Sequence, residues 1–537
     1  MSFDAIIIGS GAGGGMTALR LCEEGLKVAL IERGPRFNPA KDYIQNYPDW
    51  DRRKDSLEES WRSEQTIDPT YRTPIAGTRL KRSPLLYSRV QGVGGSTLHY
   101  QGEAHRFAEH AFRTKSLFDW GLDWPIRYKD LESYYEQAEK LLGVAGKPGN
   151  PFKPKRGAFP TPAHPLSQRS KLLKESANEL GFDLLENMLA LPSESFGGRT
   201  PCQHSGGCNF GCVFGAKSSV DQAIIPLAEK TGNLTLFAKT RAIDLVFDDH
   251  GKISGVQLIS ENNKSQLRAK CYVLATGAIE TPRIMLSSRS SLHPNGFANS
   301  QDQVGRYFME TVTATATPRE PLSFDNYLGP PLDSRVWDFC FPKDRLTGGF
   351  VLGSTGYLYP AVGPSRQANK IQGVGLAHKY KMRETFGRSF SIFGIAEQEP
   401  VSSNRLWLSD NKDSAGVVKV NVHNEYSKRD QHTLDVMSDI LGDWISATPG
   451  LTLGTQTTSL VKSAATHVAG TCRMGNDPKS SVVDSFGKVH GQENCYITDG
   501  SVMPTQGAGD SPSLTIQALA LRTADKIAND IKTALTS

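Results

Sequence analysis

Residues 4–34, DAIIIGSGAGGGMTALRLCEEGLKVALIERG, leave this chain few ways to begin folding. Asp4–Ile8 is a short apolar run typical of a strand buried on both faces. Gly9, Gly11 and Gly14 then form G-x-G-x-x-G. The first glycine permits a sharp turn, the second lets backbone approach a pyrophosphate, and the third lets helix pack on strand. The helix that follows offers free N–H groups and a positive dipole end to phosphate. LKVALIE supplies a second strand, ending at Glu32 and Arg33, where a carboxylate can accept hydrogen bonds from a ribose diol. A glycine-rich turn alone is weak; strand, glycines, helix, strand and acid together predict a dinucleotide cradle. An empty glycine-rich loop is the bland alternative.

A chain of 537 residues suggests two domains, or one large domain with a second built into it. Its 38% hydrophobic and 22% charged residues fit a soluble globular protein. The net charge of +5 is small for this length and the basic residues are dispersed, so nucleic acid is not an expected partner. No apolar run reaches a membrane-spanning length, and MSFDAIIIGSGAGG lacks the features of an export signal. The expectation is a chain that is cytoplasmic as synthesised, with no transmembrane segment.

Cysteine use agrees with a reducing compartment, since Cys22, Cys271, Cys340, Cys472 and Cys495 are scattered without framework spacing. PCQHSGGCNFGCVFGA, residues 201–216, is different, because Cys202, Cys208 and Cys212 fall within eleven positions. Four readings compete there. A disulfide leaves one thiol over, and free thiols could cluster by chance. Zinc could use His204 as a fourth ligand, and an iron–sulfur cluster is commonly held by closely spaced thiolates.

The C-terminal NCYITDGSVMPTQGAGDSPSLTIQALALRTADKI predicts a strand at 495–498, the turn Asp499-Gly500, and a long helix from about 515 to 531. An acid at such a strand end can hold the ribityl and pyrophosphate region of a flavin; an ordinary turn is the alternative. Between the two ends, 110–195 looks helical and then loop-rich, with six prolines from Pro148 to Pro165, a surface excursion or lid, with a disordered linker as the alternative. Alternating segments such as GGFVLGSTGYLY and SFSIFGIAE within 310–460 suit strands.

Both ends, together with GVGGSTLHYQG (92–102), YVLATGAIETPRIML (272–286) and HVAGTCRMGNDPKSSVVDSFGKVHG (467–491), resemble the glucose-methanol-choline (GMC) flavoprotein oxidoreductases. The resemblance implies an α/β fold with a discontinuous Rossmann-like FAD-binding domain over 1–110, 200–310 and 460–537. An α+β substrate-binding domain with a mostly antiparallel sheet would occupy 111–199 and 311–459. It implies that backbone at Gly94, Gly95 and Ser96 approaches the flavin. His99 aligns where some members bond the flavin covalently; a histidine packed near the ring without a bond is the alternative. His467, opening HVAGTCRMG, takes the position of the active-site histidine and is the candidate general base, since a neutral imidazole suits removal of a hydroxyl proton. The family usually has a second His or Asn near the C-terminal helix, whereas this chain has Ser511-Pro512. Serine can hydrogen-bond but is no base near neutral pH without activation, so a two-residue clamp is in doubt, and a partner group from the other domain is one remedy.

In a subset resembling bacterial FAD-dependent glucose, gluconate and fructose dehydrogenases, C-x5-C-x3-C ligates a [3Fe-4S] cluster. Cys202, Cys208 and Cys212 have that spacing. The resemblance thus implies an FAD-dependent dehydrogenase oxidising a small-molecule alcohol, sugar, glycoside or polyol by hydride transfer to flavin N5. Electrons would leave singly through the cluster to a cytochrome or quinone acceptor. A small chaperone-like subunit carrying an export signal would then take the chain to the periplasm or a membrane surface. An oxidase using dioxygen with structural or zinc-binding cysteines, a non-redox lyase of the same fold and a nucleotide-binding scaffold are the rivals.

Overall fold

The computed structural model describes residues 3–43, 86–87, 90–261, 263–323, 328–342, 344–356, 368, 371–460, 464–465 and 467–536. Five parallel strands form one sheet, in the order Cys495–Ile497, Ala269–Leu274, Phe3–Ile8, Val28–Ile31, Leu234–Phe237. FDAIII and VALI are almost wholly buried, as strands covered on both faces must be. The helices Ala12–Glu23 and Ser513–Thr536 pack against one another, so the two chain ends meet in one core.

The turn after the first strand needs its glycines. Gly9 has φ of +98°, a backbone region favouring glycine. A Cβ at Gly14 would stand 1.9 Å from the Gly9 carbonyl oxygen, so the third glycine lets helix close on strand. Gly13, outside the x-spaced pattern, is tighter still: its Cβ would lie 1.5 Å from the Thr498 carbonyl oxygen.

A second sheet has six strands, ordered Leu453–Thr458, Thr311–Pro318, Ser391–Glu397, Phe350–Thr355, Ser334–Val336, Leu185–Glu186, each neighbour antiparallel. Period-2 alternation gives it two faces. Val312, Ala314 and Ala316, with Ile392 and Ala396, pack into a separate core with Leu434, Met437 and Leu441 of the helix Lys428–Ala447. Gly394 permits that approach, since a Cβ there would be 2.8 Å from Met437 Sδ. Thr313, Thr315, Ser391, Phe393 and Ile395 face the other way, towards the cavity described below.

GGFVLGSTGYLY forms a strand only over Phe350–Thr355, and its last three residues lie outside the described residues. The final helix begins at Ser513, two residues before the expected start, because Pro512 can precede a first turn that needs no donor from it. The proline-rich stretch packs on the protein as a surface excursion and is not a free linker. Its strand Thr161–Pro162 pairs with Ala145–Gly146, Lys153 is paired with Asp510, and Arg156 bonds Glu139 at 2.5 Å. Among the described residues, no helix is long and apolar enough to cross a membrane.

Candidate active site

A cavity of about 660 Å³ runs from the glycine turn to the exposed face of the antiparallel sheet. Gly9, Gly11, Glu32, Arg33, Gly95, Ser96, His99, Asp499, Gly500, His467 and Ser511 all stand on its wall. Gly14 and Gly94 lie behind it. Gly94 donates its N–H to Ser10 Oγ at 3.0 Å, and a Cβ on Gly95 would lie 2.8 Å from Gly11 Cα, so the two glycine loops touch.

Glu32 reaches beyond its expected place. Its carboxylate accepts Ser10 N–H at 3.1 Å, Ser10 Oγ–H at 2.6 Å and Gly34 N–H at 2.9 Å, which ties the end of the second strand to the turn. Burial outweighs these bonds and pushes its carboxyl up. Asp499 acts similarly, accepting Gly277 N–H at 2.9 Å, Thr281 Oγ–H at 2.6 Å and Ser501 N–H at 2.8 Å. It therefore locks YVLATGAIETPRIML to the C-terminal segment, with burial again raising the carboxyl.

At the Glu32 end of the cavity, Arg241 pairs with Asp413 through Nη1 at 2.5 Å, while its Nε and Nη2 have no hydrogen-bond partner among the described residues. Buried N–H groups left in that state are costly unless an acceptor arrives. The residues present fit FAD.

At the other end His467 shares the wall with Glu103 and Arg335. Burial lowers the imidazole to about 4; Glu103 opposes that, while Arg335 and His105 add to it. A neutral imidazole is thus the resting form near neutral pH, which a proton acceptor requires. Gln506 Nε2–H donates to the His467 carbonyl at 2.5 Å and fixes its main chain. Glu103 Oε1 accepts Arg335 Nε–H at 2.7 Å and Asn187 Nδ2–H at 2.8 Å. Burial works against that carboxylate, but Arg335, His105 and these bonds hold it below the usual carboxylate range.

Glu103, His105, Arg335, Lys153 and Asp510 have no motif spacing and were not among the expected site residues. One signal stood in the sequence: EAHR follows directly on GVGGSTLHYQG, placing three ionisable side chains beside the expected flavin loop.

The thiol loop borders the same cavity, because Asn209, between Cys208 and Cys212, lines it. Cys202, Cys208 and Cys212 are half-buried, and burial pushes the Cys208 thiol up to about 12, with the Lys217 ammonium opposing. Lys217 is fully buried and ties the two loops together, donating from Nζ to the carbonyls of Leu98 at 2.7 Å and Cys208 at 2.6 Å. His204 instead sets its ring edge-on to His164, with centroids 5.3 Å apart. Among the described residues, no group of three or more His, Cys, Asp or Glu side chains is gathered to hold a metal ion. The three thiols nonetheless lie within electrostatic reach of one another, Cys208 of both Cys202 and Cys212, and Cys202 of Cys212.

Two family models described as GMC oxidoreductase match the chain, over residues 4–310 and 400–520. The chain is 30% identical to paromamine 6'-oxidase of Streptomyces fradiae, with 98% of this chain and 92% of that protein covered. It is 29% identical to 2-methyl-1,2-propanediol dehydrogenase of Mycolicibacterium austroafricanum, covering 98% and 95%. It is 28% identical to the fructose dehydrogenase large subunit of Gluconobacter japonicus, covering 99% of each. Among solved structures, formate oxidase of Aspergillus oryzae superposes with a TM-score of 0.70 at 15% identity, covering 99% of each chain. Pyridoxine 4-oxidase of Mesorbium loti gives 0.67 at 18% identity, covering 98% of this chain and 99% of that one; both likenesses concern the fold.

Proposed function

Because the chain belongs to the GMC oxidoreductase family and is an FAD-dependent oxidoreductase acting on CH–OH donors, we propose that it is a dehydrogenase for a sugar, glycoside or polyol. The observation that carries this reading is His467, a half-buried neutral imidazole on the wall of the cavity that begins at the glycine turn. FAD, when bound, supplies the acceptor for the hydride. The substrate C–H and O–H bonds break, two electrons leave with the hydride, and the hydroxyl proton goes to His467, leaving a carbonyl. Gly9, Gly11, Glu32, Arg33, Gly95, Ser96, His99, Asp499 and Gly500 would hold the cofactor, with Gly14 and Gly94 shaping the loops behind it. Ser511 would serve as a hydrogen-bonding group. The division into 1–110, 200–310 and 460–537 for FAD and 111–199 and 311–459 for substrate belongs to the same proposal, supported by the two sheets.

A [3Fe-4S] cluster on Cys202, Cys208 and Cys212 completes the reading. Its supports are the C-x5-C-x3-C spacing, the contact of the thiol loop with the cavity, and similarity to a fructose dehydrogenase large subunit. A cluster passes one electron at a time, which suits an external cytochrome or quinone and a partner subunit. Anaerobic mixing with sugars and polyols tests the first part, with bleaching of the flavin absorbance expected. Iron and acid-labile sulfide, with an EPR signal lost in Cys208→Ser, test the second. Hydrogen peroxide formed one-for-one with product, without iron, would make the protein an oxidase instead, as the similarity to paromamine 6'-oxidase allows.

A further inference from the structure

The sheet side of the cavity carries polar groups that proton and hydride transfer do not use. Thr313, Thr315, Thr355 and Ser391 line it together with Phe393; Ser391 Oγ is paired with Thr317 Oγ1 at 2.8 Å and Thr355 Oγ1–H donates to the Gly356 carbonyl at 3.3 Å, which leaves Thr313 and Thr315 as the hydroxyls for a ligand. Arg335 lies among them with its guanidinium carbon 4.5 Å above that ring. Its side chain is only 1% exposed. Nε and Nη2 are held by Glu103 Oε1 at 2.7 and 2.6 Å, but Nη1 has no partner among the described residues. Gly353, its partner on the neighbouring strand, makes room for the guanidinium, since a Cβ there would be 2.6 Å from Nη1. A buried guanidinium N–H left unbonded costs free energy that a ligand oxygen would recover.

The charge balance narrows the ligand. Glu103 stays ionised and offsets the Arg335 charge, and the nearby His467 is neutral, so this end of the cavity offers donors without net positive charge. A carboxylate entering here would meet Glu103 with no spare cation to balance it. An aromatic ring, the hydroxyl-bearing Thr313 and Thr315 and one free N–H instead suit the C–H face and hydroxyl oxygens of a sugar or polyol.

We propose that Arg335 is the specificity-determining donor of this enzyme, binding a hydroxyl oxygen of an uncharged polyhydroxylated substrate laid on Phe393, and discriminating against sugar acids and simple alcohols. This rests on the alcohol-oxidising reading and names its substrate class. Arg335 comes from the sheet domain, so it supplies from that side a contact to substrate that Ser511 cannot replace as a cation.

The test uses the flavin-loaded enzyme with D-glucose, D-fructose, sorbitol, D-gluconate and 1-butanol, and phenazine methosulfate as acceptor. The best neutral polyhydroxyl compound should exceed both gluconate and butanol at least about tenfold in kcat/KM. Arg335→Lys keeps a charge opposite Glu103 but removes Nη1, and should lower the ratio of kcat/KM for that compound to that for butanol about 10- to 100-fold, mainly through KM. Phe393→Leu leaves the ion pair intact and should lower the same ratio about two- to tenfold, which keeps the proposal testable if Arg335→Lys does not fold. Equal use of gluconate or butanol by the unaltered enzyme, or an unchanged ratio in both variants, overturns the proposal. If no alcohol bleaches the flavin anaerobically, the alcohol-oxidising reading fails; if butanol and gluconate bleach it as fast as sugars do, only the Arg335 proposal fails.

Discussion

The backbone N–H of Ser511 donates to Nδ1 of His105 at 3.2 Å. His105 is fully buried, with Nε2 2.8 Å from Asn187 Oδ1 and Nδ1 3.2 Å from Asp510 Oδ1, so the serine is anchored by its main chain to a fixed ring. That anchoring does not need the hydroxyl. Ser511→Ala should therefore cost no more than about tenfold in kcat/KM, the size of one neutral hydrogen bond. His467→Ala should cost about 10²- to 10⁴-fold, the usual share of a proton-transfer group, while flavin content stays constant. Steady-state kinetics and flavin absorbance on both variants check this; equal losses would mean that the serine takes part in proton transfer.

Lys153 reaches from the proline-rich stretch to Asp510, and both side chains are buried. Trp337 Nε1–H also donates to Asp510 at 3.0 Å. Lys153 and His105 overcome the effect of burial and hold the Asp510 carboxyl down at about 2. Lys153→Met would leave that carboxylate buried without its cation, a loss of about 3–5 kcal/mol. Adding Asp510→Asn should recover most of it, because the orphaned charge is gone. Denaturant unfolding of the single and double variants measures the difference, and a double variant no more stable than Lys153→Met would contradict the ion-pair account.

The parts legible in the sequence are those that local spacing encodes. Gly9 and Gly14 announce a turn because the φ of +98° at Gly9 and the approach of Gly14 to the Gly9 carbonyl oxygen both belong to one strand–turn–helix unit. Alternation in SFSIFGIAE announces a strand because one face is core and the other cavity. Arg335 and Glu103 are 232 positions apart, and no spacing rule joins them. Their pairing depends on where the antiparallel sheet docks over the glycine loops, a tertiary relation without a local pattern. The cysteine spacing is legible, but spacing alone does not say which group three thiols hold.

Gly13 shows the same limit within the cradle itself. It occupies an x position of G-x-G-x-x-G, yet its Cβ would overlap the Thr498 carbonyl oxygen at 1.5 Å, and that atom is backbone. Gly13→Ala must therefore push the N-terminal helix from the last strand of the parallel sheet, on which Asp499 depends. The expected outcome is severe loss of flavin content and of folded protein, well beyond the roughly 1 kcal/mol that an alanine ordinarily gains in a helix. Flavin-to-protein absorbance ratio and thermal unfolding report it. A variant with normal flavin content would show that the helix can shift without cost.

Glu397 ends the strand Ser391–Glu397, and its carboxyl lies near the backbone N–H groups of Ala508, Gln506 and Gly507, with Oε2 buried and without a hydrogen-bond partner among the described residues. Gln506 in turn holds the His467 main chain, so this acid stands beside the loop behind the base. Burial dominates and raises the Glu397 carboxyl from 4.5 to about 7. Between those values the folded state keeps a proton that the unfolded chain has lost, so stability falls as pH rises through the window. Asp430 is shifted the same way, to about 7, while His467, lowered to about 4, adds stability as pH rises to 6.5. Subtracting Glu397→Gln from the unaltered protein isolates the first term from the other two. The variant should gain relative stability between pH 5 and pH 8 by roughly 2–3 kcal/mol, measured by denaturant unfolding at each pH. An unchanged difference across that range would show that the carboxyl is already ionised at pH 5 and that the loop is held by a carboxylate.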